Sequence, residues 1–549
     1  MSSIRLSLPR ALPVALATAA LLFFSGSVSA QQRPGPTRFP QSGQEANSSD
    51  ESRVFDATLR AIRDFALVPH ADSLLWERAI QGLIDSLEDP YATVLSPDEV
   101  RAFQEESTGN YAGIGVQISD LNQSVTITAV FRNTPAERAG LQVGDRIVGV
   151  NEDRAQDWRV EDASRRIRGE PGTTVRVFVA RDGIAAPIPH DIRREQVHVP
   201  AVTAERIFDG LGYIMLDRVA RNSAAEVDSV LRSMSGARGL ILDLRRNPGG
   251  YLDESLALAD LFLERGSVLV TTKSRNPGSQ NPISEESAYA RRAAQIPDIP
   301  IIVLVDRFSA SASEIVAGAL QDHDRALIIG ERTFGKGTVQ SVLPLPAGRL
   351  IRLTSGEWFT PQGRSLNRAR DREGRALASD EVVQAFTSRG GRALKGGGGI
   401  FPDVEVANDT LSTREQTFLA ATVEAEISLT QRIQEAAFEA ARLARQSGNT
   451  DSRLPDASFQ RLRDGLIESG LSRQAFDAES EAYLKWRLEV AFYQRLERTD
   501  RSLEAQAARD PVLAEAVRLL RESTDQADLF ARAGSPLPTR SSRRSSGGF

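Results

Sequence analysis

Four short, almost wholly apolar runs recur between residues 211 and 330: GYIML, GLILDL, IPIIVLV and ALIIG. Their length and composition suit buried strands. Helical segments over 224–234, 254–263 and 313–321 separate most of them. A chain that alternates in this way is constrained to an α/β core, which the pattern carries to about Val406.

The rest of the chain reads in blocks. Arg5 and Arg10, an apolar stretch from Val14 to Phe24 and the small residues Val28-Ser29-Ala30 form an export signal over 1–30. Cleavage there sends the protein out of the cytoplasm, the periplasm being favoured; an uncleaved signal would leave it membrane-associated. Residues 31–52 are rich in Pro, Gln and Ser and read as a disordered linker. Residues 53–104 are helical, with Phe55, Leu59, Ile62 and Phe65 at helical spacing and a helix start at Ser96-Pro97-Asp98-Glu99. Residues 105–195 hold short β-runs (GIGVQI, VTITAV, DRIVGV, TVRVFVA) and one helix over 160–167, the pattern of a small binding module. The α/β core occupies 196–407. Residues 408–533 show almost no strand signal and read as a helical appendage, ending in a flexible tail over 534–549.

Composition narrows the chemistry. There is no cysteine, which removes thiol catalysis and every Cys-based metal site. His70, His190, His198 and His323 are scattered without a ligand pair, so no metal or other cofactor is expected. A net charge of −6 with no basic stripe gives no reason to expect a nucleic-acid partner.

The candidate chemistry lies in SASASEIVAGALQD and FGKGTVQ. Ser311 starts a helix, and Lys336 stands in a Gly-flanked loop 25 residues later. Ser311 with Glu314 fits a capping box, in which the serine is simply an N-cap. The same geometry suits a nucleophile, because a helix N-terminus presents free amides to an anionic intermediate. A Ser/Lys pair in a dry cleft supports acyl transfer without histidine, provided that burial lowers the lysine from about 10.4 by roughly 3–5 units. Gln340 is placed to hold the amine through its side-chain carbonyl. In DLRRNPGG, the turn at Gly249 and Gly250 reads either as an ordinary βα turn or, with the amide of Ala312, as an oxyanion hole. Gly330 to Lys336 nearly spells a phosphate-binding loop, but Gly337 replaces its hydroxyl residue and TVQSVLPLP reads as a strand, so that reading is set aside. A Ser-His pair with His323 fails too, since that residue ends the helix Ser311 begins, about 18 Å away at 1.5 Å per residue.

These pieces in this order resemble the C-terminal processing peptidases, or tail-specific proteases. The resemblance rests on DLRRNPGG, VDRFSASASEIVAGALQD, GERTFGKGTVQ, WFTPQGRSLN and GIFPDVEV, with AIQGLIDSLEDPYATVLSPDE and YAGIGVQI upstream, and spans about residues 54–407. It implies a crotonase-like α/β protease core with an inserted PDZ domain. By motif position it makes Ser311 the nucleophile, Lys336 the general base and Gln340 its orienting partner, with Ser309 and Ser313 structural. It also implies that Gly113, Ile114, Gly115 and Val116 bind the carboxylate of a substrate's C-terminal tail, and the stretch AGLQVGDRIVGVNED downstream resembles a PDZ hallmark. Arg168, in IRGEPGT, is the candidate contact through which the PDZ domain gates the protease.

The expectation is therefore an exported serine endopeptidase acting on proteins held by their C-terminal tails. The alternative is a non-catalytic PDZ adaptor on the same fold. Whether the helical region pairs two copies into a homodimer, docks a regulatory adaptor or packs on the core stays open.

Overall fold

The computed structural model describes residues 50–537, apart from 122, 182, 209, 276–280, 372–374, 378–382, 452 and 536. The expected export signal (1–30), the linker up to residue 49 and the tail beyond residue 537 lie outside the described residues. Residues 50–52, assigned to the linker by composition, instead begin a helix, α1 (Asp50–Phe65). It is joined by α2 (Asp72–Asp85), and the rings of Phe55 and Trp76 meet at 5.8 Å. No residue of α1 is buried, so the apolar spacing that marks the helix is not used by the core. Ser96 and Glu99 form a reciprocal capping box at α3 (Pro97–Thr108), and Gly109 ends that helix with φ +66°.

The β-rich module contains β1 (Val116–Leu121), β2 (Ser124–Val130), β3 (Arg146–Val150), α4 (Val160–Ile167), β4 (Thr174–Ala180) and β5 (Ile188–Arg193). Its sheet runs β1-β2-β3-β4-β5, which leaves β1 at an edge. Val125, Ile127, Ile147, Val175, Val177 and Val179 alternate into a core that Ala163 and Ile167 of α4 complete. A two-stranded ribbon, Asn110–Gly113 with Glu195–His198, connects the module to the rest of the chain on both sides.

The α/β core is built on β6 (Leu211–Leu216), α5 (Ser223–Ser233), β7 (Leu240–Asp243), α6 (Leu252–Asp260), β8 (Ile301–Val305), α7 (Ala312–Asp322) and β9 (Leu327–Gly330). Strand Val202–Ile207 pairs antiparallel with β6; from β6 through β9 to Val404–Glu405 the pairing is parallel. A second, antiparallel sheet contains β10 (Thr338–Pro344) and β11 (Leu350–Phe359) with Thr93–Leu95, Val268–Arg275 and Ile283–Tyr289. The stretch after ALIIG thus continues as a strand and not as the helix of a phosphate-binding loop.

Residues 413–532 are helical, but their last part is no appendage. One set of alternate side chains of the parallel sheet (Leu240, Leu242, Ile301, Val303, Ile328) packs on α5, α6 and α7. The opposite set (Ile241, Ile302, Leu304, Leu327, Ile329) packs on Val512, Leu513 and Leu520 of α9 (Pro511–Glu522) and on Leu529 and Phe530 of α10 (Gln526–Arg532). A sheet apolar on both faces needs two helical layers. The second layer comes from the end of the chain. Arg245, just after β7, binds both Asp243 and Asp510, the residue that caps α9. The helices between residues 413 and 495, α8 (Leu429–Gln446) among them, form their own core around Phe418, Ile433, Leu466, Leu484 and Phe492.

Leu520 is 1% exposed and reaches within 3.0 Å of where a Cβ on Gly239 would stand. Leu520→Ala is expected to lower stability by about 2–5 kcal/mol in urea unfolding. Leu443→Ala, at a position 38% exposed, should change it by less than about 0.5 kcal/mol.

Candidate active site

Ser311 follows the loop that leaves β8. Its backbone has φ +55° and ψ −115°, a region that non-glycine residues avoid and that costs of order 1–3 kcal/mol to hold. The residue is 1% exposed, and its hydroxyl has no hydrogen-bond partner among the described residues. This separates the two readings of SASE. Only Glu314 makes its half of the capping box, accepting the Ser311 N–H at 2.8 Å, while the Glu314 N–H goes to the Ser311 carbonyl. The serine hydroxyl is not spent on capping.

What holds the strained turn is a set of buried polar groups. Asp306 Oδ1 accepts from the backbone of Arg246, Phe308 and Ser309. Ser309 Oγ donates to the Leu244 carbonyl and Ser313 Oγ to the Asn247 carbonyl, so both flanking serines tie the serine turn to the glycine turn. Asn247 completes the tie: its carbonyl accepts the Ala310 N–H and its side chain donates to Leu216.

The glycine turn meets Ser311 closely. A Cβ on Gly249, whose φ is +96°, would stand 2.9 Å from Ser311 Cβ and 2.8 Å from the Ala312 nitrogen. Only glycine fits there. Gly249 and Ala312 are therefore neighbours at Ser311. In this arrangement, however, the Gly249 N–H is donated to Asn247 Oδ1 at 2.9 Å, so it does not point into an oxyanion hole. Gly250 bridges to Val219 instead of facing the serine.

Lys336 sits in the loop from β9 to β10 and is 4% exposed. Gly337 lets that loop approach closely, since a Cβ on it would stand 2.7 Å from the Asn367 nitrogen. Burial, aided by the Arg352 guanidinium, lowers the Lys336 amine from 10.5 to about 7, against the opposing pull of the Glu314 and Asp89 carboxylates. The amine lies 4.6 Å over the ring of Tyr91. It does not bond the Ser311 hydroxyl, and the Gln340 side-chain carbonyl, expected to hold it, has no partner either among the described residues. Gln340 is fully buried and donates to Thr354 at 2.7 Å.

Sequence reasoning misses three parts of the site. Glu314 reads in the sequence as half of a cap; in the structure its carboxylate also accepts the N–H groups of Gly335 and Lys336 and the Thr333 hydroxyl. Burial pushes its pKa up while these donors pull it down. Tyr91 is hidden behind the helix-breaking Asp89-Pro90, yet that turn is fixed to the lysine-bearing sheet through Asp89 to Thr354 and Arg352 to the Tyr91 carbonyl. Asn247 shows no sequence signal beyond its place between strand and glycines.

In the β-rich module, Gly113, Ile114, Gly115 and Val116 lead into β1, and Ile114 is buried. Arg168 does not reach the α/β core: it pairs with Glu105 of α3 and lies 5.1 Å over the Tyr111 ring. The start of IRGEPGT thus meets α3, a contact that no spacing in the sequence reveals. His323, at the far end of α7, bonds the Val268 carbonyl at 2.7 Å.

Glu314→Gln keeps the volume but replaces one accepting oxygen by a donor, leaving two of four donors unsatisfied. The expected result is a loss of about 1–3 kcal/mol per donor in denaturant unfolding. Turnover should fall by about 100-fold through misplacement of the two loops.

The chain matches the model of peptidase family S41 over residues 210–371 and that of the PDZ domain over residues 102–180. It is 32% identical over 331 residues to the carboxy-terminal processing protease CtpA of Bacillus subtilis, covering 59% of this chain and 69% of that protein. The carboxy-terminal-processing protease of Bartonella bacilliformis is 32% identical over 343 residues, 61% of this chain and 75% of the relative. Across these and other curated relatives the chain spans between 58% and 75% of their own length. A solved photosystem II D1 C-terminal processing protease is similar at 27% identity over 64% of this chain and 86% of that one, with a TM-score of 0.33. The β-rich module is thus a PDZ domain, and the chain belongs to peptidase family S41, the carboxy-terminal processing serine proteases.

Proposed function

We propose that this protein is an exported serine endopeptidase with a Ser311/Lys336 dyad, acting on proteins whose C-terminal tails are held by the PDZ domain. The observation that carries the reading is the lysine: a buried amine with a pKa of about 7 can be neutral at working pH and so accept a proton. Ser311 supplies a strained, uncommitted hydroxyl bound through Glu314 to the same loop.

In the reaction, Ser311 Oγ attacks the scissile carbonyl while Lys336 Nζ takes its proton. Collapse of the tetrahedral intermediate breaks the C–N bond, and the amine leaves with the proton from Lys336. Water then attacks the acyl-serine ester, again losing its proton to Lys336, and the carboxylic product departs as Ser311 is re-protonated. The Ala312 amide at the start of α7 is the donor for the oxyanion; Gly249 joins it once its N–H turns from Asn247. The amine must also leave the Tyr91 ring to reach Ser311, with Gln340 steadying it. Tail binding in the PDZ domain is the event that would drive this closure.

The direct test is cleavage of an unfolded reporter protein with an apolar C-terminal tail. Wild type should cut it; Ser311→Ala and Lys336→Ala should each lose at least about 1,000-fold in kcat. Substantial turnover by either variant overturns the dyad. Labelling of Ser311 by a phosphonylating probe separates a resting protease from a non-catalytic adaptor.

Two pH effects arise from the lysine. Below about pH 7, kcat/KM should fall about tenfold per unit as the base is protonated, and it should level off above. The folded-state pKa lies below the unfolded value of 10.5, so the cost of burying the charge is fully present below pH 7 and disappears as pH rises to 10.5. Lys336→Met should therefore stabilise the fold most at about pH 6 and least at about pH 10, as read by thermal unfolding.

A further inference from the structure

The Lys336 amine lies 4.6 Å over the face of the Tyr91 ring, a contact that proton transfer from Ser311 does not itself need. The ring is anchored independently of the lysine. Tyr91 sits in a tight turn, in which Asp89 Oδ1 accepts the Tyr91 N–H at 3.0 Å and the Asp89 carbonyl accepts the Ala92 N–H at 3.1 Å. From there the chain enters strand Thr93–Leu95, which pairs with Leu350–Arg352 of β11. Two further bonds fasten the turn to the same strand: Arg352 Nε donates to the Tyr91 carbonyl, and the Thr354 N–H donates to Asp89 Oδ2. The Thr354 hydroxyl also accepts from Gln340. One strand therefore holds both Gln340 and the ring under the amine.

An aromatic face carries partial negative charge, so it attracts an ammonium and has no such hold on a neutral amine. Burial pushes the Tyr91 phenol up from its ordinary value, so at neutral pH the ring acts through its face and not as a phenolate. The attraction is greatest where water is excluded, and Lys336 is buried. Other charges surround the pair among the described residues. Arg352 disfavours the charged amine, Glu314 and Asp89 favour it, and Arg370 acts on the Tyr91 phenol. These charges reach further than the ring, whose hold ends once the amine is beyond about 6 Å from its centre.

We propose that Tyr91 is a positioning residue that sorts the base by charge: its face holds the ammonium form of Lys336 away from Ser311 and releases the neutral amine to it. The serine is then approached by the form of the lysine that can accept its proton. The proposal rests on the Ser311/Lys336 dyad. A hold on the ammonium alone raises the pH at which activity reaches half its plateau and leaves the plateau itself unchanged.

The test is kcat/KM on the unfolded reporter protein from about pH 5 to about pH 9, with the full chain in four forms. Tyr91→Phe keeps the ring face, Tyr91→pentafluorophenylalanine keeps the shape but reverses the charge of the face, and Tyr91→Leu removes the ring. Wild type and Tyr91→Phe should share one half-plateau pH. The other two should reach it about one unit lower, with plateaus within about twofold of wild type. About one unit below the wild-type value they should therefore cut about fivefold faster. Tail binding and other pH-dependent steps are common to all four forms and cancel.

The same half-plateau pH in wild type and Tyr91→pentafluorophenylalanine overturns the sorting. So does an equal shift with Tyr91→Phe, which would assign the effect to the hydroxyl, and so do plateaus that fall without a shift, which would leave Tyr91 a structural role. If Tyr91→Leu does not fold, the two phenylalanine forms decide alone. Cutting by Lys336→Ala removes the dyad and the sorting together; an inactive Lys336→Ala beside unshifted ring variants overturns the sorting alone.

Discussion

One buried carboxylate holds the Ser311 and Lys336 loops in register. Glu314 lies within the first turn of α7, fully enclosed. One of its oxygens accepts the N–H groups of both Ser311 and Lys336, and the other accepts the Gly335 N–H and the Thr333 hydroxyl. Burying a charge without donors is expensive; here four donors converge on two oxygens. The same bonds that offset its desolvation keep a positive-φ serine and a buried lysine within one rigid frame. Neither the strain at Ser311 nor the lowered pKa of Lys336 would persist if the loops moved independently.

Around this frame the fold supplies dryness. The parallel sheet is covered on one face by the helices interleaved with its strands and on the other by helices from the far end of the chain. Arg245 joins that outer layer to the strand whose continuation carries Asn247 and Gly249. The glycine turn is thus fixed from behind by α9 and in front by the serine loop.

Much of this is legible in the sequence, for identifiable reasons. The strands of the core announce themselves because burial on both faces removes almost every polar position, and the helix at 160–167 has the bounds read from the sequence. Ser311 and Lys336 stand out because glycines and small residues crowd them where backbones touch. Other features escape for equally physical reasons. The antiparallel sheet around β10 and β11 has polar, half-exposed strands such as Ile283–Tyr289, which carry no strong pattern. The roles of Tyr91 and Glu314 depend on contacts between segments far apart in the chain. The destination of α9 and α10 is implied in principle: wholly apolar strands such as Ile301–Val305 need covering on both sides, and the segment 211–406 has helices for only one.

The outer layer has a consequence for the order of events in making the protein. Chains emerge from the ribosome from the N-terminus onward. Ser311, Lys336 and the sheets that hold them all precede Val512, Leu513 and Leu520 in the chain. Until those last helices arrive, Ile241, Ile302 and Leu304 lack the layer they pack against. One face of the parallel sheet therefore stays uncovered until the helices over 511–532 have been made. Because α9 and α10 follow the sheet in the chain, the sheet's second face is the later one to be buried.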